Sequence, residues 1–269
     1  MEFGICLHSI IPVRFEPNHT SEMVTQILFG ELYRVIGKEN GWCRVQLAYD
    51  DCEGWIHPLQ LNLLTAPEFL RLYDSESAVT FDLVQLISNE TRHTMIPVLI
   101  GSSLPDIKEQ HFTINQETFL YEGVVSDTMS LEHANAPQEI IRIRQSIVKD
   151  AMIYLNAPYL WGGRSPFGID CSGFVQMAYK LRKIKLLRNA SQQATQGEVV
   201  SLLAESGPCD LAFFDDEEGN ITHVGLLIDR SHIIHCSGKV RIDPLDHEGI
   251  FNEEKQQYSH KLRLIKRII

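Results

Sequence analysis

The stretch Pro158-Tyr-Leu-Trp-Gly-Gly-Arg-Ser-Pro-Phe-Gly-Ile-Asp-Cys-Ser-Gly-Phe174 carries the strongest signal in this 269-residue chain. Its first part is a predicted loop, rich in Gly, Ser and Pro, that delivers Asp170 and Cys171 to a segment with helical spacing of apolar residues. Asp170 is a predicted helix N-cap, because a carboxylate there accepts hydrogen bonds from free backbone N–H groups. Cys171 then lies in the first turn, where those groups and the helix dipole lower the pKa of a thiol. The pattern predicts a nucleophilic cysteine.

A nucleophilic thiol needs a histidine base within hydrogen-bond reach, and two histidines follow on strand-like segments. His223 and His235 flank a turn near residue 229. If a hairpin is centred on that residue, the two histidines pair directly opposite each other and share one face. His235 can then fix the tautomer of His223, as the third member of a catalytic triad does. His232 is expected on the opposite face, because strand side chains alternate.

Two other interpretations of these residues stay open. A cysteine or a histidine taken singly is most often an ordinary core or surface residue. Zinc is the competing use of His232, His235 and Cys236, but their spacing matches no compact ligand set and strand alternation separates them, so no metal site is expected. The other cysteines are expected to be free, mostly buried thiols of a reducing compartment: Cys6, Cys43, Cys52, Cys209 and Cys236.

The sequence is expected to form three domains. Residues 1–60 contain short strand-like segments with turn signals at intervals of roughly eight to twelve residues, which favours a small β barrel. Residues 61–130 have the same character and are interpreted as a second small β domain. In residues 131–269, helical patterns at 139–155 and 171–181 precede a series of strand patterns. Helices followed by strands indicate an α+β domain.

The charge balance excludes several classes of partner. Lys and Arg number 24 and Asp and Glu number 35, which gives a net charge of −11 at neutral pH. Such a chain has no electrostatic attraction to nucleic acid or anionic lipid, so neither is an expected partner. No apolar stretch approaches about eighteen residues, so no membrane span is predicted. The first residues lack the basic region and apolar run of a secretory signal, which predicts a cytoplasmic location.

Six ordered motifs make residues 135–269 resemble the NlpC-type family of bacterial cell-wall cysteine peptidases, which have a papain-like fold. The motifs are Pro158-Tyr-Leu-Trp-Gly-Gly, Asp170-Cys-Ser-Gly-Phe, Ser191-Gln-Gln, Asp210-Leu-Ala-Phe-Phe, His223-Val-Gly and Ile234-His-Cys-Ser-Gly. Residues 1–60 resemble a bacterial SH3-like domain through Val13-Arg-Phe-Glu-Pro, Gly30-Glu and Gly54-Trp-Ile. The second β domain is a candidate for the same fold. The resemblance therefore implies small SH3-like β barrels followed by an α+β papain-like catalytic domain.

The resemblance also implies roles for matching residues. Cys171 is the implied nucleophile, His223 the base and His235 the residue that orients it. The Tyr159 hydroxyl and the Cys171 backbone N–H are implied to stabilise the oxyanion, a contribution that is usually large in acyl transfer. In the family, the residue at Asp170 binds the free amine of an N-terminal L-Ala. The implied lining of the substrate cleft is Trp161, Asp170, Ser172 and Ser191.

The combination of domains is similar to γ-D-glutamyl-L-diamino acid endopeptidases. In such enzymes the first SH3-like domain closes one end of the cleft, which admits short peptides with a free N-terminus, and Glu22 is its candidate carboxylate. The implied reaction hydrolyses the γ-D-glutamyl–diamino acid bond of murein peptides through a thioester, without metal or organic cofactor, for peptidoglycan recycling. Two alternatives remain: a catalytically inactive SH3-like binding module, and an amidase or acyltransferase on the same core.

Overall fold

The structure, a computed structural model, describes residues 2–126 and 136–269. The chain forms two compact units, Met1–Thr128 and Met129–Ile269. The predicted boundary at residues 130 and 131 lies outside the described residues, and the predicted boundary at residues 60 and 61 falls inside the first unit. Within the described ranges, no helix combines the length and the apolar character needed to cross a membrane.

The first unit begins with a small antiparallel β barrel, as predicted for residues 1–60. Its strands form one sheet in the order β3-β2-β6-β5-β4-β1-β7. Their bounds are β1 Glu2–Ile5, β2 Ile10–Arg14, β3 Met23–Leu28, β4 Leu32–Glu39, β5 Trp42–Leu47, β6 Glu53–Ile56 and β7 Leu63–Leu64. Alternate side chains, among them Ile11, Val13, Tyr33, Val45 and Ile56, point into a buried core.

Residues 63–121 add a helix and a second sheet to this unit. The elements are α1 Ala66–Asp74, β8 Ser77–Val79, β9 Val84–Asn89, β10 Thr94–Leu99, β11 Ser103–Pro105, β12 His111–Ile114 and β13 Glu117–Tyr121. Four of them form a sheet in the order β10-β9-β13-β12. Ile5 and Phe29 of the barrel share one buried cluster with Phe69, Ile87 and Phe119, so both predicted β domains contribute to a common core. Helix α1 was missed by the sequence prediction, because nine residues give a weak periodic signal.

The second unit is an α+β structure, as predicted. Its elements are α2 Pro137–Ala151, β14 Arg164–Ser165, β15 Gly168–Ile169, α3 Cys171–Lys180, α4 Ala190–Gln193, β16 Glu198–Val200, β17 Leu211–Asp215, β18 Ile221–Leu227, β19 His232–Ser237, β20 Lys239–Pro244, β21 Gly249–Asn252 and β22 Gln257–Arg267. The main sheet has the order β16-β22-β17-β18-β19-β20, and β21 also pairs with β22. Because β18 is central, it can carry a side chain into the middle of the unit.

Helix α3 lies at the centre of the second unit. Its pattern predicts one buried face, but all of its residues are buried, because α2 and α4 pack on it in addition to β18 and β19. Gly173 permits the close approach of the preceding loop: a Cβ at this position would lie 2.3 Å from the carbonyl oxygen of Gly163. The tight packing fixes the first turn of α3, where Cys171 lies.

Candidate active site

Asp170 ties the loop before α3 to the first turn of that helix. Its Oδ1 accepts a hydrogen bond from the Gly173 N–H at 2.6 Å, and its Oδ2 accepts one from the Gly162 N–H at 2.8 Å. The predicted N-cap is therefore confirmed. Cys171 is the first residue of α3, and the hydrogen bonds of Asp170 fix the backbone before it and after it.

Arg188, which the sequence reasoning missed, pairs with Asp170 in the interior. Its guanidinium donates to Oδ1 at 3.0 Å and to Oδ2 at 2.6 Å, and only 1% of its surface is exposed. Arg188 also donates to the Ser172 hydroxyl at 2.9 Å, and that hydroxyl donates to Asp170 at 3.2 Å. A carboxylate offers about four acceptor positions. These donors leave Asp170 little capacity for the amine contact that the family resemblance implies.

The thiol of Cys171 lies at the backbone N–H of Val224, the residue after His223. Burial raises the pKa of this thiol to about 12, and the nearby Asp170 carboxylate adds to the rise. Backbone N–H groups and the Arg188 guanidinium act in the opposite direction. The predicted lowering of the thiol pKa was therefore wrong, because loss of solvation outweighs the helix N-terminus.

His223 and His235 lie side by side on one face of the sheet. Nε2 of His223 is 2.8 Å from Nδ1 of His235. The predicted register was wrong by two residues: His235 pairs with Gly225, and His223 lies further along β18. The prediction that both histidines share one face of the sheet is still correct, because strand side chains alternate with a period of two. A Cβ at position 225 would lie 2.8 Å from Cβ of His235, so glycine makes room for this diagonal contact.

Asp243 in β20 extends this arrangement and was also missed from the sequence. Its Oδ2 lies 2.8 Å from Nε2 of His235. Arg241 donates to Oδ2 at 2.6 Å and to Oδ1 at 2.8 Å. Although burial opposes ionisation, the hydrogen bonds from His235 and Arg241 lower the pKa of Asp243. We call the hydrogen-bonded series His223, His235 and Asp243 the imidazole relay.

The imidazole relay selects one tautomer at each ring. The ionised Asp243 carboxylate can only accept, so Nε2 of His235 carries its hydrogen. Nδ1 of a neutral His235 can then only accept, so His223 donates from Nε2. The hydrogen-bond network thereby assigns the free lone pair of His223 to Nδ1. That nitrogen is the candidate proton acceptor for Cys171.

Both imidazoles are neutral in the free site. Burial, followed by repulsion from His235 and His260, lowers the pKa of His223 well below its usual range. Burial also lowers the pKa of His235, although the hydrogen bond to Asp243 opposes this change. A neutral imidazole beside a neutral thiol means that proton transfer has to accompany attack on the substrate.

The aromatic residues before β14 remain accessible near the buried thiol. Tyr159 is 38% exposed and Trp161 is 60% exposed. The Tyr159 N–H donates to the Gly238 carbonyl at 3.0 Å, which anchors this part of the loop. Burial, with the charges of Cys171 and Asp170, raises the pKa of Tyr159 to about 12. The hydroxyl therefore stays protonated and can donate to an oxyanion.

The two predicted cleft serines occupy different environments. Ser172 is buried within the Asp170–Arg188 network. Ser191 is exposed on α4. Gln193 of the same helix donates to the Ser172 carbonyl at 3.0 Å, which ties α4 to the start of α3. Ser191 is thus carried on an element that is anchored next to the nucleophile.

The three residues of the zinc alternative do not converge, although the ring nitrogens of a different set, His223, His235 and His260, lie within 4.8 Å of one another. His232 binds Asp229 through Nδ1, whereas the thiol of Cys236 donates to the Ile169 carbonyl at 3.1 Å. Both therefore lie apart from the hydrogen bonds of His235. Glu22 lies in the first unit, exposed immediately before β3, and its role toward a substrate stays a prediction.

A thiol at a helix start, close to a strand that carries a hydrogen-bonded imidazole relay, is the arrangement of a cysteine peptidase. The NlpC/P60 family profile matches residues 156–258. The profile of the bacterial dipeptidyl-peptidase SH3 domain matches residues 13–61. The chain is therefore a cysteine peptidase that contains an NlpC/P60 domain and an N-terminal bacterial SH3 domain.

Relatives with similar sequences cover most of the chain. The γ-D-glutamyl-L-lysine dipeptidyl-peptidase of Bacillus subtilis is 28% identical over 78% of this chain and 71% of the relative. Dipeptidyl-peptidase 6 of Lysinibacillus sphaericus is 28% identical over 87% of this chain and 88% of the relative. A crystal structure of an NlpC/P60 family protein from Bacillus cereus superposes with a TM-score of 0.80 at 18% identity, covering 99% of each chain. The whole fold is thus shared with that protein.

Proposed function

We propose that this chain is a γ-D-glutamyl-L-diamino acid endopeptidase acting on short murein peptides with a free N-terminal L-Ala. The observation that carries the proposal is the Cys171 thiol placed at the backbone of β18, where the imidazole relay begins. The names of the Bacillus relatives, γ-D-glutamyl-L-lysine dipeptidyl-peptidase, support the substrate class. Both L-Lys and meso-diaminopimelate are candidate diamino acids.

In the first half of the reaction, Nδ1 of His223 accepts the proton of the Cys171 thiol as sulfur attacks the γ-carbonyl carbon of D-Glu. The Tyr159 hydroxyl and the Cys171 backbone N–H donate to the oxyanion. The tetrahedral intermediate then collapses with cleavage of the C–N bond. His223 returns its proton to the departing amine of the diamino acid, which leaves a thioester on Cys171.

In the second half, His223 takes a proton from water as the water oxygen attacks the thioester carbonyl. The C–S bond breaks, L-Ala-D-Glu leaves as a carboxylic acid, and the proton on His223 restores the thiol. His235 and Asp243 stabilise the transient imidazolium, because the ionised carboxylate lies at the far end of the relay.

Recognition of a free N-terminus forms the second part of this proposal. The exposed carboxylate of Glu22, in the first unit, is the candidate partner of the L-Ala ammonium group. A requirement for that ammonium group restricts the enzyme to peptides already released from the wall. This restriction supports a role in recycling murein peptides in the cytoplasm.

The test is hydrolysis of L-Ala-γ-D-Glu-L-Lys and L-Ala-γ-D-Glu-meso-diaminopimelate, followed by mass spectrometry. We expect release of L-Ala-D-Glu and no turnover by Cys171→Ala. Cys209→Ala is the matched control, because Cys209 is also a buried thiol whose pKa burial raises to about 12. Turnover by Cys171→Ala, or none by the unaltered chain on either peptide, would contradict the proposal.

The N-terminal requirement has its own test. We expect the N-acetylated tripeptide to be a poor substrate and Glu22→Gln to raise KM for the free peptide. Glu16→Gln is the control, because Glu16 is also exposed in the first unit. Equal cleavage of free and acetylated peptides would support the peptidase activity but contradict both the ammonium contact and the recycling role.

A further inference from the structure

His260 on β22 places a third imidazole against the base. Its ring stacks on that of His223 with centroids 4.1 Å apart and planes inclined by 24°. Phe214 of the intervening strand β17 lies edge-on to His260 at 5.9 Å and 5.7 Å from His223. The base therefore has an aromatic ring on one face, in addition to its hydrogen bond to His235.

His260 is itself held from the surface side. The Ser259 hydroxyl and Nδ1 of His260 are hydrogen-bonded at 2.9 Å. His260 is partly exposed and lines a surface depression of about 500 Å³ together with His247 and Tyr258. Its ring thus stands between this depression and the face of His223.

The base needs more than one constraint to work. The hydrogen bond from Nε2 of His223 to His235 fixes one edge of the ring but leaves the ring free to tilt about the N···N line. A flat ring stacked at 4.1 Å restricts that tilt. Restricting the tilt matters because small misplacements of a catalytic group reduce rates strongly.

We propose that His260 is a positioning residue, which by stacking on His223 keeps Nδ1 of the base directed at Cys171 and keeps water away from the ring. The inference rests on the proposed function, in which His223 is the base. A neutral His260 suits this role, because two stacked imidazoles cannot easily both be protonated.

The surrounding charges keep His260 neutral at the pH of most assays. Burial and repulsion from His235 lower the pKa of His260 to about 4, although Asp243 opposes this change. Among the described residues, the charged or titratable groups that face the two rings are the Cys171 thiol from α3 in the proposed mechanism, His235 from β19 and, from β20, Asp243 with its partner Arg241. Removing His260 takes away burial and repulsion at His223 together, so the pKa of the base rises.

The test compares His260→Ala, His260→Phe and Ser259→Ala, with kcat and KM measured on the tripeptide across pH. For His260→Ala we expect kcat to fall about tenfold to a hundredfold at nearly constant KM. The acid limb of kcat/KM should move to higher pH. His260→Phe keeps the stacked ring, so it should retain most of kcat and shift the acid limb of kcat/KM less. Ser259→Ala should give a loss of kcat between those of the two His260 variants. His247→Ala, in the same depression, should change neither kcat nor the acid limb of kcat/KM.

Two results would overturn the proposal. Equal loss of kcat in His260→Ala and His260→Phe would show that stacking is not the cause. A lower melting temperature with unchanged kcat and an unmoved acid limb would show that His260 only supports the fold.

Imidazole ¹⁵N NMR of His223 provides a readout that needs no substrate. If His260→Ala raises the His223 pKa and mixes its tautomers while the unaltered chain cleaves no peptide, the proposed function fails and the positioning role stands. If the peptide is cleaved but the His223 tautomer and pKa are the same in both proteins, the positioning role fails alone.

Discussion

Two buried carboxylates of the second unit, Asp170 and Asp243, are each paired with an arginine, yet their remaining contacts differ. Asp170, paired with Arg188, accepts from the backbone N–H groups of a loop and of α3. Asp243, paired with Arg241, accepts from the imidazole of His235. The arginine supplies an opposite charge to each carboxylate in the interior. The third partner decides whether that charge fixes a backbone or the tautomer of a base.

The largest expected effect is on catalysis, at Asp243. In Asp243→Asn the amide can donate to Nε2 of His235, which reverses the hydrogen bonds of the imidazole relay and puts a hydrogen on Nδ1 of His223. We expect kcat to fall about a hundredfold to ten-thousandfold with the fold retained. Steady-state kinetics and circular dichroism measure both effects.

Arg241→Gln sharpens this prediction, because it weakens the support of Asp243 but leaves a carboxylate that accepts from His235. Its loss of kcat should be smaller than that of Asp243→Asn. Full activity in Asp243→Asn would show that the tautomer assignment is wrong.

The next effect is on stability, at Arg188. In Arg188→Met the Asp170 carboxylate stays buried without its cation, which costs about 3–5 kcal/mol of unfolding free energy. Urea unfolding measures the change. Adding Asp170→Asn to this variant should recover part of the loss, since it removes the unpaired charge.

Arg44→Met is the matched control for Arg188→Met, because Arg44 pairs with Glu53 at the surface and exposed ion pairs contribute little. If the two substitutions change the unfolding free energy equally, the buried Asp170–Arg188 pair does not stabilise the start of α3.

A third prediction concerns the neutral state of the Cys171–His223 pair. With its pKa near 12, the Cys171 thiol has a thiolate fraction at pH 7 about a thousandfold below that of free cysteine. Alkylation by iodoacetamide should therefore be slow at pH 7 and rise with pH beyond 9. Peptide mass spectrometry identifies the labelled cysteine.

His223→Ala separates a neutral pair from an ion pair. In a neutral pair this substitution changes the alkylation rate of Cys171 little. A rate plateau below pH 7 that disappears in His223→Ala would mean that the resting site holds thiolate and imidazolium, contrary to our expectation.

The smallest effect is the pH dependence of stability. The pKa of both His223 and His235 is lower in the folded state than the usual value of about 6.5. Below that pH the unfolded chain binds more protons, so the melting temperature should be level above it and fall toward pH 5. The pKa of Asp243 is also lowered in the folded state, and this lowers the melting temperature further only below about pH 4, where the unfolded chain binds an extra proton.

Thermal scans of His235→Phe test this assignment, because the variant should show a shallower fall between pH 6.5 and 5. A melting temperature that stays level down to pH 5 in the unaltered chain would contradict the buried, neutral state of the two imidazoles.

Local sequence patterns were sufficient for most elements and for the core of the site. The N-cap at Asp170, the helix that begins at Cys171 and the shared face of His223 and His235 follow from capping chemistry and strand alternation. The strand that carries Asp243 could also have been predicted from the sequence. A Ser-Gly turn after β19 followed by alternating apolar and polar residues predicts the strand β20.

Other features depend on long-range contacts that no local pattern encodes. Arg188 lies 18 residues after Asp170, and His260 reaches His223 from β22 across the intervening strand β17. The hairpin register also escaped prediction: Leu227 pairs with Ile233, so the hairpin is centred one residue beyond residue 229.

The sequence by itself determined the class of chemistry, because a cysteine at a capped helix start and two histidines on one face of a hairpin are local arrangements. Only the tertiary structure decided the protonation states. The depth of burial, set by the packing of α2, α4 and the sheet around α3, outweighs the helix dipole and leaves both thiol and imidazole neutral. Solvation depends on everything that surrounds a group, and those surroundings come from distant parts of the chain.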